Sequence, residues 1–423
     1  MTFAVALLAA LLAIVPAAPV TGSWTGTMTR DGDRLSVRFD FIDSPRRGTF
    51  SAPDLGAIDI PLQRVRLGDS LHWELVGDST TTVFDGAINN DTIDGSFSED
   101  GRNGAFTLQR VAASDEAPYE KRDVTFDNGA VRLAGTLFVP RSPGKHTAFI
   151  CVHGSGDEGR WACAYLADYA ARHGVAVLTY DKRGVGASGG NWRTSTMDDL
   201  AGDARAGIAL LAGVPQVDRR RIGVFGHSQG GEIAPAIAVG DPLVSFVIDA
   251  DGPIGPQYFQ DLYRVDNILA RRYSGVPLER AEALYREFVD VARTGAPHDR
   301  LRADMRAAGN APWLADLAVP DDDAWVWSWY ASSGNYDNRR SWARVRVPVL
   351  IVFGSDDALV PVQPSVEQTV AILKSNGNAN VTVRVFPGAD HTLHVPPRTP
   401  GGWPHLAAGY PDVLTTFISQ LPP

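Results

Sequence analysis

The first quarter of the chain alternates hydrophobic and polar residues in short runs that are separated by turn signals. Leu35 to Phe39 and Leu71 to Leu75 show this period of two, which is typical of strands that bury one face. Asp-Gly pairs, among them Asp31-Gly32 and Asp94-Gly95, separate such runs at the spacing of β-hairpins. The pattern predicts a small all-β domain, a sandwich or barrel, over residues 22–112.

The pattern changes beyond Tyr119, where short continuous hydrophobic runs alternate with segments of helical period. Such runs predict buried strands of a parallel sheet. They lie at Ala148–Val152, Val175–Tyr180, Ile222–Gly226, Phe246–Asp249, Val349–Phe353 and Val381–Phe386. The alternation predicts an α/β domain over residues 119–423 with a doubly wound, mostly parallel sheet, which binds its ligands at the carboxyl ends of the strands.

One segment, at about residues 257–342, interrupts this alternation with helical, charge-rich sequence. It is longer than an ordinary crossover, so we predict a helical cap insertion in the α/β domain. Five tryptophans occur there: Trp313, Trp325, Trp327, Trp329 and Trp342. Large aromatic side chains fill cores and also line ligand pockets. Packing of the cap is the simpler interpretation, and an acyl pocket is the alternative.

The N-terminal residues have the pattern of a signal peptide. Thr2 to Val15 form an apolar run that is followed by the small-residue zone Pro16-Ala17-Ala18-Pro19. We therefore predict a signal peptide over residues 1–20 and a secreted or periplasmic protein. No Lys or Arg precedes the run, and an N-terminal membrane tether would give a similar pattern.

Composition and charge restrict the classes of molecule that the protein is expected to bind. Hydrophobic residues make up 44% of the chain and charged residues 21%, which is typical of a globular protein. The net charge of −10 is spread along the sequence and leaves no basic face for nucleic acid. We expect a small-molecule partner and no nucleic acid, and the oligomeric state stays open.

The chain has two cysteines, Cys151 and Cys163. Cys151 lies inside the apolar stretch 148–152, where a buried thiol that acts as a small hydrophobic side chain is the simpler prediction. Export would also permit a disulfide between the two.

Ser228 is the candidate nucleophile. It lies in Gly226-His227-Ser228-Gln229-Gly230, after the strand-like run 221–225 and before the helix-compatible segment 232–239. A serine on such a strand-to-helix turn projects above the sheet, and the flanking glycines let the backbone bend tightly.

A serine hydroxyl needs a base that takes its proton during attack. His391 follows the last predicted strand, in a loop from which it can reach back over Ser228. His394 is the close rival, and position and chain order favour His391.

The base in turn needs a carboxylate that fixes its tautomer. The strand Val349–Phe353 is followed by Gly354-Ser355-Asp356-Asp357, and either aspartate gives the chain order Ser, Asp, His. Main-chain N–H groups must also stabilise the negative charge that develops on the substrate oxygen. Gln229 is the first donor, and Ser155 in His153-Gly154-Ser155-Gly156 is the second, with Gly156 as an alternative.

These segments resemble the α/β-hydrolase superfamily, in its bacterial dienelactone-hydrolase-like and carboxylesterase-like branch. The resemblance covers residues 119–423 and includes Asp181 to Ser188, which is similar to the family's D-x-R-G-x-G-x-S turn. Residues 354–361 are similar to the family pattern G-x-x-D-x-x-V-P, which implies Asp357 as the acid. The turn implies that Arg183 is a loop anchor. The β-rich region resembles an N-terminal domain that precedes some secreted hydrolases.

The resemblance implies a serine hydrolase that cleaves a carboxylic ester through an acyl-enzyme, without cofactor or metal. Amide, peptide or thioester hydrolysis on the same triad is the alternative, and a non-catalytic binding protein on the same fold is a further one. A separate hypothesis gives the β-domain a carbohydrate ligand that stacks on Trp24 and Trp73, although core packing of both is simpler.

Overall fold

The computed structural model describes residues 20–68, 70–77, 80–111 and 117–422. The predicted signal peptide lies outside this range, except for residue 20. By the contacts of the described residues the chain divides into two compact units, Met1–Ala52 with Ile60–Ser114, and Pro53–Asp59 with Asp115–Pro423. No helix in the described residues is long and apolar enough to span a bilayer.

Antiparallel strands build the first unit. The described strands of its sheet are β1 (Gly22–Arg30), β2 (Asp33–Asp43), β3 (Arg46–Ala52), β4 (Ala57–Pro61), β5 (Gln63–Leu67), β6 (Leu71–Val76), β7 (Thr81–Asn89), β8 (Thr92–Glu99) and β9 (Arg102–Val111); of β4, only Ile60 and Pro61 are counted in this unit. They form one sheet in the order β4-β3-β2-β1-β9-β8-β7-β6-β5. The expectation of a small all-β domain ahead of the α/β domain is confirmed.

Aromatic side chains fill the interior of this sheet. Trp24, Phe39, Trp73 and Phe84 are fully buried, and the Trp73 ring lies 5.3 Å from that of Phe39 and 5.7 Å from that of Phe84. The alternation read from the sequence places these residues on the buried face of each strand. Trp24 and Trp73 therefore pack the core and offer no exposed ring to a sugar.

A mixed sheet forms the centre of the second unit. Its described strands are β10 (Tyr119–Asn128), β11 (Val131–Pro140), β12 (His146–Val152), β13 (Ala176–Tyr180), β14 (Val217–His227), β15 (Val244–Ala250), β16 (Val349–Gly354) and β17 (Val381–Phe386). Their order is β10-β11-β13-β12-β14-β15-β16-β17. β12 to β17 run parallel, whereas β10 and β11 pair antiparallel at one edge. A small ladder joins β18 (His394–Val395) and β19 (His405–Leu406).

Helices flank this sheet and form the insertion after β15. Within the described residues they are α1 (Ala164–Arg172), α2 (Met197–Gly213), α3 (Gln229–Gly240), α4 (Gln257–Ala270), α5 (Val276–Thr294), α6 (Asp299–Ala308), α7 (Pro312–Asp316), α8 (Trp325–Ser333), α9 (Arg339–Trp342), α10 (Val362–Ser375) and α11 (Tyr410–Ser419). A capping box between Thr196 and Asp199 starts α2. The predicted doubly wound α/β-hydrolase fold is confirmed.

The insertion between β15 and β16 has its own hydrophobic core. Trp313, Trp327 and Phe288 are buried among α4, α5 and α8, so these tryptophans pack the cap. Trp342 instead belongs to the core beneath the main sheet. Trp325 is 39% exposed, and together with Trp329 it lines a cavity. Packing and pocket lining are thus divided among the five tryptophans.

The buried free thiol predicted for Cys151 is wrong. Cys151 and Cys163 form a disulfide, with their Cα atoms 6.4 Å apart, which is within the usual range for such a bond. The chain after β12 turns back through a short 3-10 helix at Arg160–Cys163, and this brings the second cysteine beside the strand. The hydrophobic run around Cys151 holds no information about that turn.

Candidate active site

Ser228 lies on a strained turn between β14 and α3. Its φ of 53° and ψ of −116° are unfavourable for a side chain other than glycine. The surroundings enforce the bend, because a Cβ at Gly230 would lie 2.2 Å from the Val152 carbonyl oxygen, and one at Gly226 would lie 2.2 Å from that of Gly230. Only glycine fits at either position, as the sequence motif requires.

His391 and Asp357 form a buried hydrogen-bonded pair. His391 Nδ1 lies 2.7 Å from Asp357 Oδ2, and the Asp357 side chain is inaccessible to solvent. The other carboxylate oxygen of Asp357 accepts hydrogen bonds from the N–H groups of Leu359 and Val360, at 2.7 and 2.9 Å. These bonds fix the carboxylate, and the carboxylate fixes the imidazole with its Nε2 free for proton transfer.

The rival residues point elsewhere. Asp356 is exposed and accepts a 2.7 Å hydrogen bond from the Ser355 hydroxyl. His394 Nδ1 lies 2.9 Å from the Thr392 hydroxyl. The structure therefore brings Asp357 rather than Asp356 against His391. The catalytic roles of Ser228, Asp357 and His391 stay predictions.

The loop that holds His391 docks on the turn that holds Ser228. His227 Nε2 donates to the main-chain carbonyl of His391 at 3.0 Å, and the two imidazole rings lie 5.1 Å apart. Burial, and then the neighbouring His391, lower the pKa of His227. Among the described residues no hydrogen bond joins the Ser228 hydroxyl to His391; such contacts tighten when substrate binds.

The two candidate oxyanion donors come from neighbouring segments. Gln229 is the first residue of α3, so its N–H lies at the positive end of that helix. Ser155 follows Gly154, where an added Cβ would lie 3.4 Å from the Ser228 Cβ. In the described part of the chain neither main-chain N–H makes a hydrogen bond. Both are available to a substrate oxygen.

Lys182, which the sequence reading did not single out, joins these two segments. Its Nζ donates to the Gly154 carbonyl at 2.6 Å and to the Gln229 side-chain oxygen at 2.9 Å. The residue is 3% exposed, and burial lowers its pKa to about 8. Its neighbour Arg183 forms a buried pair with Asp203, which confirms the expected loop anchor.

Glu158 completes the support of the loop after β12. Its carboxylate accepts the Gly154 N–H at 2.9 Å, so both polar groups of the Gly154 main chain are occupied. His153 Nε2 donates to the Tyr180 carbonyl, and burial lowers the pKa of His153 to about 4. His153 is therefore a neutral structural residue rather than a competing base.

A further carboxyl group, Asp251, lies beneath the pair. Potential ligand atoms of Asp251, Asp357 and His391 lie within 4.8 Å of one another. Burial raises the pKa of Asp251 well above its usual value, and its Oδ1 accepts the Gly354 N–H at 3.0 Å. In the tautomer that donates to Asp357, His391 Nδ1 has no lone pair for a metal, and Nε2 alone keeps one.

Comparisons with known proteins show which family the chain resembles in sequence and in fold. The model of the alpha/beta hydrolase family matches residues 149–400, which is more than half of the chain. Esterase EstD of Thermotoga maritima is 26% identical over 295 residues, which are 66% of this chain and 61% of that protein. An uncharacterized protein of Mycobacterium tuberculosis is 34% identical over 137 residues, 32% of this chain and 47% of its own length.

The chain thus spans 47% to 61% of the length of these relatives. Among solved structures, an esterase of Pyrococcus furiosus superimposes with a TM-score of 0.48 at 19% identity, over 74% of this chain and 94% of that one.

Proposed function

The chain belongs to the α/β-hydrolase family, and from this premise we propose that it is a serine hydrolase that cleaves carboxylic esters through an acyl-enzyme. The observation that carries the proposal is the 2.7 Å pair of His391 and Asp357, docked against the strained turn that presents Ser228. Nucleophile, base and orienting acid are the parts that this chemistry requires.

In the proposed mechanism the Ser228 hydroxyl attacks the ester carbonyl while His391 Nε2 takes its proton. Asp357 stabilises the imidazolium that results. The N–H groups of Ser155 and Gln229 bind the oxyanion of the tetrahedral intermediate. His391 then protonates the departing alcohol, and a water molecule, activated by the same imidazole, releases the acid and restores Ser228.

Esters are the preferred substrate class because a curated relative is called an esterase. Amides, peptides and thioesters pass through the same tetrahedral intermediate. They are the alternative outcomes of a substrate screen.

The test is release of p-nitrophenol from acyl esters of increasing chain length, by the wild type and by Ser228→Ala. We expect turnover with an optimal chain length, and loss of turnover on the order of 10⁶ in the variant. A folded wild type that cleaves no ester, amide or thioester would favour the binding-protein hypothesis instead.

We also propose that the protein is exported. The apolar N-terminal run of the sequence and the disulfide between Cys151 and Cys163 support this, since disulfides persist in oxidising compartments. N-terminal sequencing of protein from the native host tests it; a mature chain that begins at Met1 contradicts the cleaved signal peptide.

A further inference from the structure

A cavity of about 270 Å³ lies between the insertion that follows β15 and the loops that hold Ser155 and Trp192. Apolar side chains, among them Val265, Phe288, Trp325 and Trp329, form most of its wall. Ser155, the proposed oxyanion donor, lies at its edge. The volume is near the lower end of the range for small-molecule sites, so the cavity fits one substituent of an ester bound at Ser228.

The helix that forms one wall of the cavity is fixed to the candidate acid. From α4, Gln260 Nε2 donates to the Leu359 carbonyl at 2.8 Å, and Asn267 Nδ2 donates to the Ala358 carbonyl at 3.0 Å. These carbonyls follow Asp357 in the chain. These two hydrogen bonds therefore fix the position of α4, and with it one wall of the cavity, relative to the loop that holds Asp357.

The same helix presents one cation to the cavity. Arg264 lines it with 37% of its side-chain surface open. Its Nε and Nη2 donate to Asp261 Oδ1 at 2.9 and 2.6 Å, and Tyr285 donates to the other carboxylate oxygen at 2.7 Å. Asp261 and Tyr285 are buried, so the contacts with Asp261 fix the guanidinium on its buried side.

This arrangement leaves donors that face the cavity. Nε and one N–H of Nη2 donate to Asp261, and the guanidinium also interacts with the Tyr285 hydroxyl. A guanidinium has five N–H donors in a planar fork, so its outer edge stays open. An apolar pocket that contains such a fixed donor discriminates against ligands that leave it without a partner.

The charges that line the cavity restrict the chemistry of the acceptor. Asp261 and Asp316 line it together with Arg264, and Asp261 already neutralises the guanidinium. A second full negative charge would therefore gain little there. A neutral carbonyl, ether or hydroxyl oxygen can accept the hydrogen bond without bringing an anion into an apolar site.

We propose that Arg264 determines specificity by donating to a neutral oxygen on the substituent that enters the cap cavity, so that the substrate is an oxygenated ester. The inference rests on the proposed function. It names the substrate class as esters whose apolar chain or ring also carries a ketone, ether or hydroxyl oxygen.

The test compares kcat/KM for matched pairs of esters, one plain and one with a ketone in place of a single methylene. The ketone is moved along the acyl chain in one series and along the alcohol in a second. We expect a preference of about tenfold or more for the ketone at one position of one series. A terminal carboxylate at that position should give no comparable gain.

The variant that removes the donor is Arg264→Met combined with Asp261→Asn, which leaves no unpaired buried carboxylate beside Tyr285. We expect its ketone preference to fall to about one. Arg271→Met, at the exposed end of α4, is the matched control and should keep the wild-type preference.

Failure of the inference and failure of the proposed function give different results. Turnover of plain esters that depends on Ser228, without a ketone preference in either series, overturns the inference alone. A preference that survives in the double variant also overturns it. If the wild type cleaves no ester, both the inference about Arg264 and the proposed function are wrong. The wild-type series decides the matter even if the double variant does not fold.

Discussion

Replacing Lys182 with Met removes a side chain that bonds to both segments with candidate oxyanion donors. The ammonium group loses two hydrogen bonds, at 2.6 Å to Gly154 and at 2.9 Å to Gln229. Hydrogen bonds to charged groups contribute about 1.5–3 kcal/mol each. Lys182 contacts the two loops and not the substrate. We therefore expect about half of the summed free energy of its two hydrogen bonds to stabilise the transition state of the reaction.

That share corresponds to a fall in kcat of about 10- to 100-fold. It is smaller than the loss of about 10²–10³ that follows removal of a direct oxyanion donor. KM should change little, because the oxyanion forms only after attack. Lys145→Met is the matched control, since Lys145 is exposed, and thermal unfolding shows that each variant is folded.

The charge of Lys182 can also be removed without mutation. Burial lowers the pKa of this group from 10.5 to about 8, so the wild type should lose activity as the pH rises through about 8, while Lys182→Met should not. Between pH 8 and 10.5 the unfolded chain binds more protons at this lysine than the folded one. Its contribution to stability therefore rises with pH in that range, and unfolding linked to Lys182 cannot explain the loss.

The assay is ester hydrolysis by both proteins from pH 6 to pH 10, corrected for spontaneous hydrolysis. A kcat of Lys182→Met within threefold of wild type, or a loss confined to KM, would refute the positioning role. If the activity of the wild type stayed constant up to pH 10, the role assigned to the positive charge of Lys182 would be refuted.

Three further experiments test the acid, the disulfide and the turn at Ser228. Asp357→Asn should lower kcat by about 10⁴, whereas Asp356→Asn should leave the rate of p-nitrophenol release near wild type; the reverse order would assign the acid to Asp356. Replacing Cys151 and Cys163 by Ala opens a loop with a sequence separation of 12 and should lower the free energy of unfolding by about 2–4 kcal/mol; two titratable thiols in the denatured, unreduced wild type would exclude the bond. Gly230→Ala places a Cβ 2.2 Å from the Val152 carbonyl and should abolish activity and lower the melting temperature, whereas Gly213→Ala, where nothing lies within 4 Å, should do neither; equal melting temperatures would refute the close approach.

Periodicity predicted the parallel strands of the sheet well, because their burial on both faces requires continuous hydrophobic runs. β12, β13, β15 and β16 are almost entirely buried, so the run and the strand nearly coincide. β14 extends back to Val217 through residues that are partly or fully exposed, and its predicted run covers only the continuously buried part, Ile222–Gly226. Neither β10 nor β11 was predicted. β10 lies at the sheet edge, where only some of its residues are buried, and the hydrophobic signal is correspondingly weak. β11 is mostly buried, but Arg132, Gly135 and Thr136 interrupt its hydrophobic residues.

The site residues were predictable where a local motif fixes the backbone, as the glycines around Ser228 do. Lys182 and Glu158 carry no such signal, because their roles come from contacts with segments distant in sequence or in a turn. Lys182 reaches Gln229, 47 positions away. The position of Lys182 just after a buried strand, between the charged residues Asp181 and Arg183, is the sequence feature that would have drawn attention to it.

The central claim is that Ser228 is a nucleophile activated by His391. The most direct measurement is the intact mass of the protein after reaction with a fluorophosphonate, followed by peptide mapping of the adduct. The account predicts one phosphonyl group on the peptide that contains Ser228, no adduct in Ser228→Ala, and much slower labelling of His391→Ala. An adduct on another residue, or no adduct on a folded wild type, would contradict it.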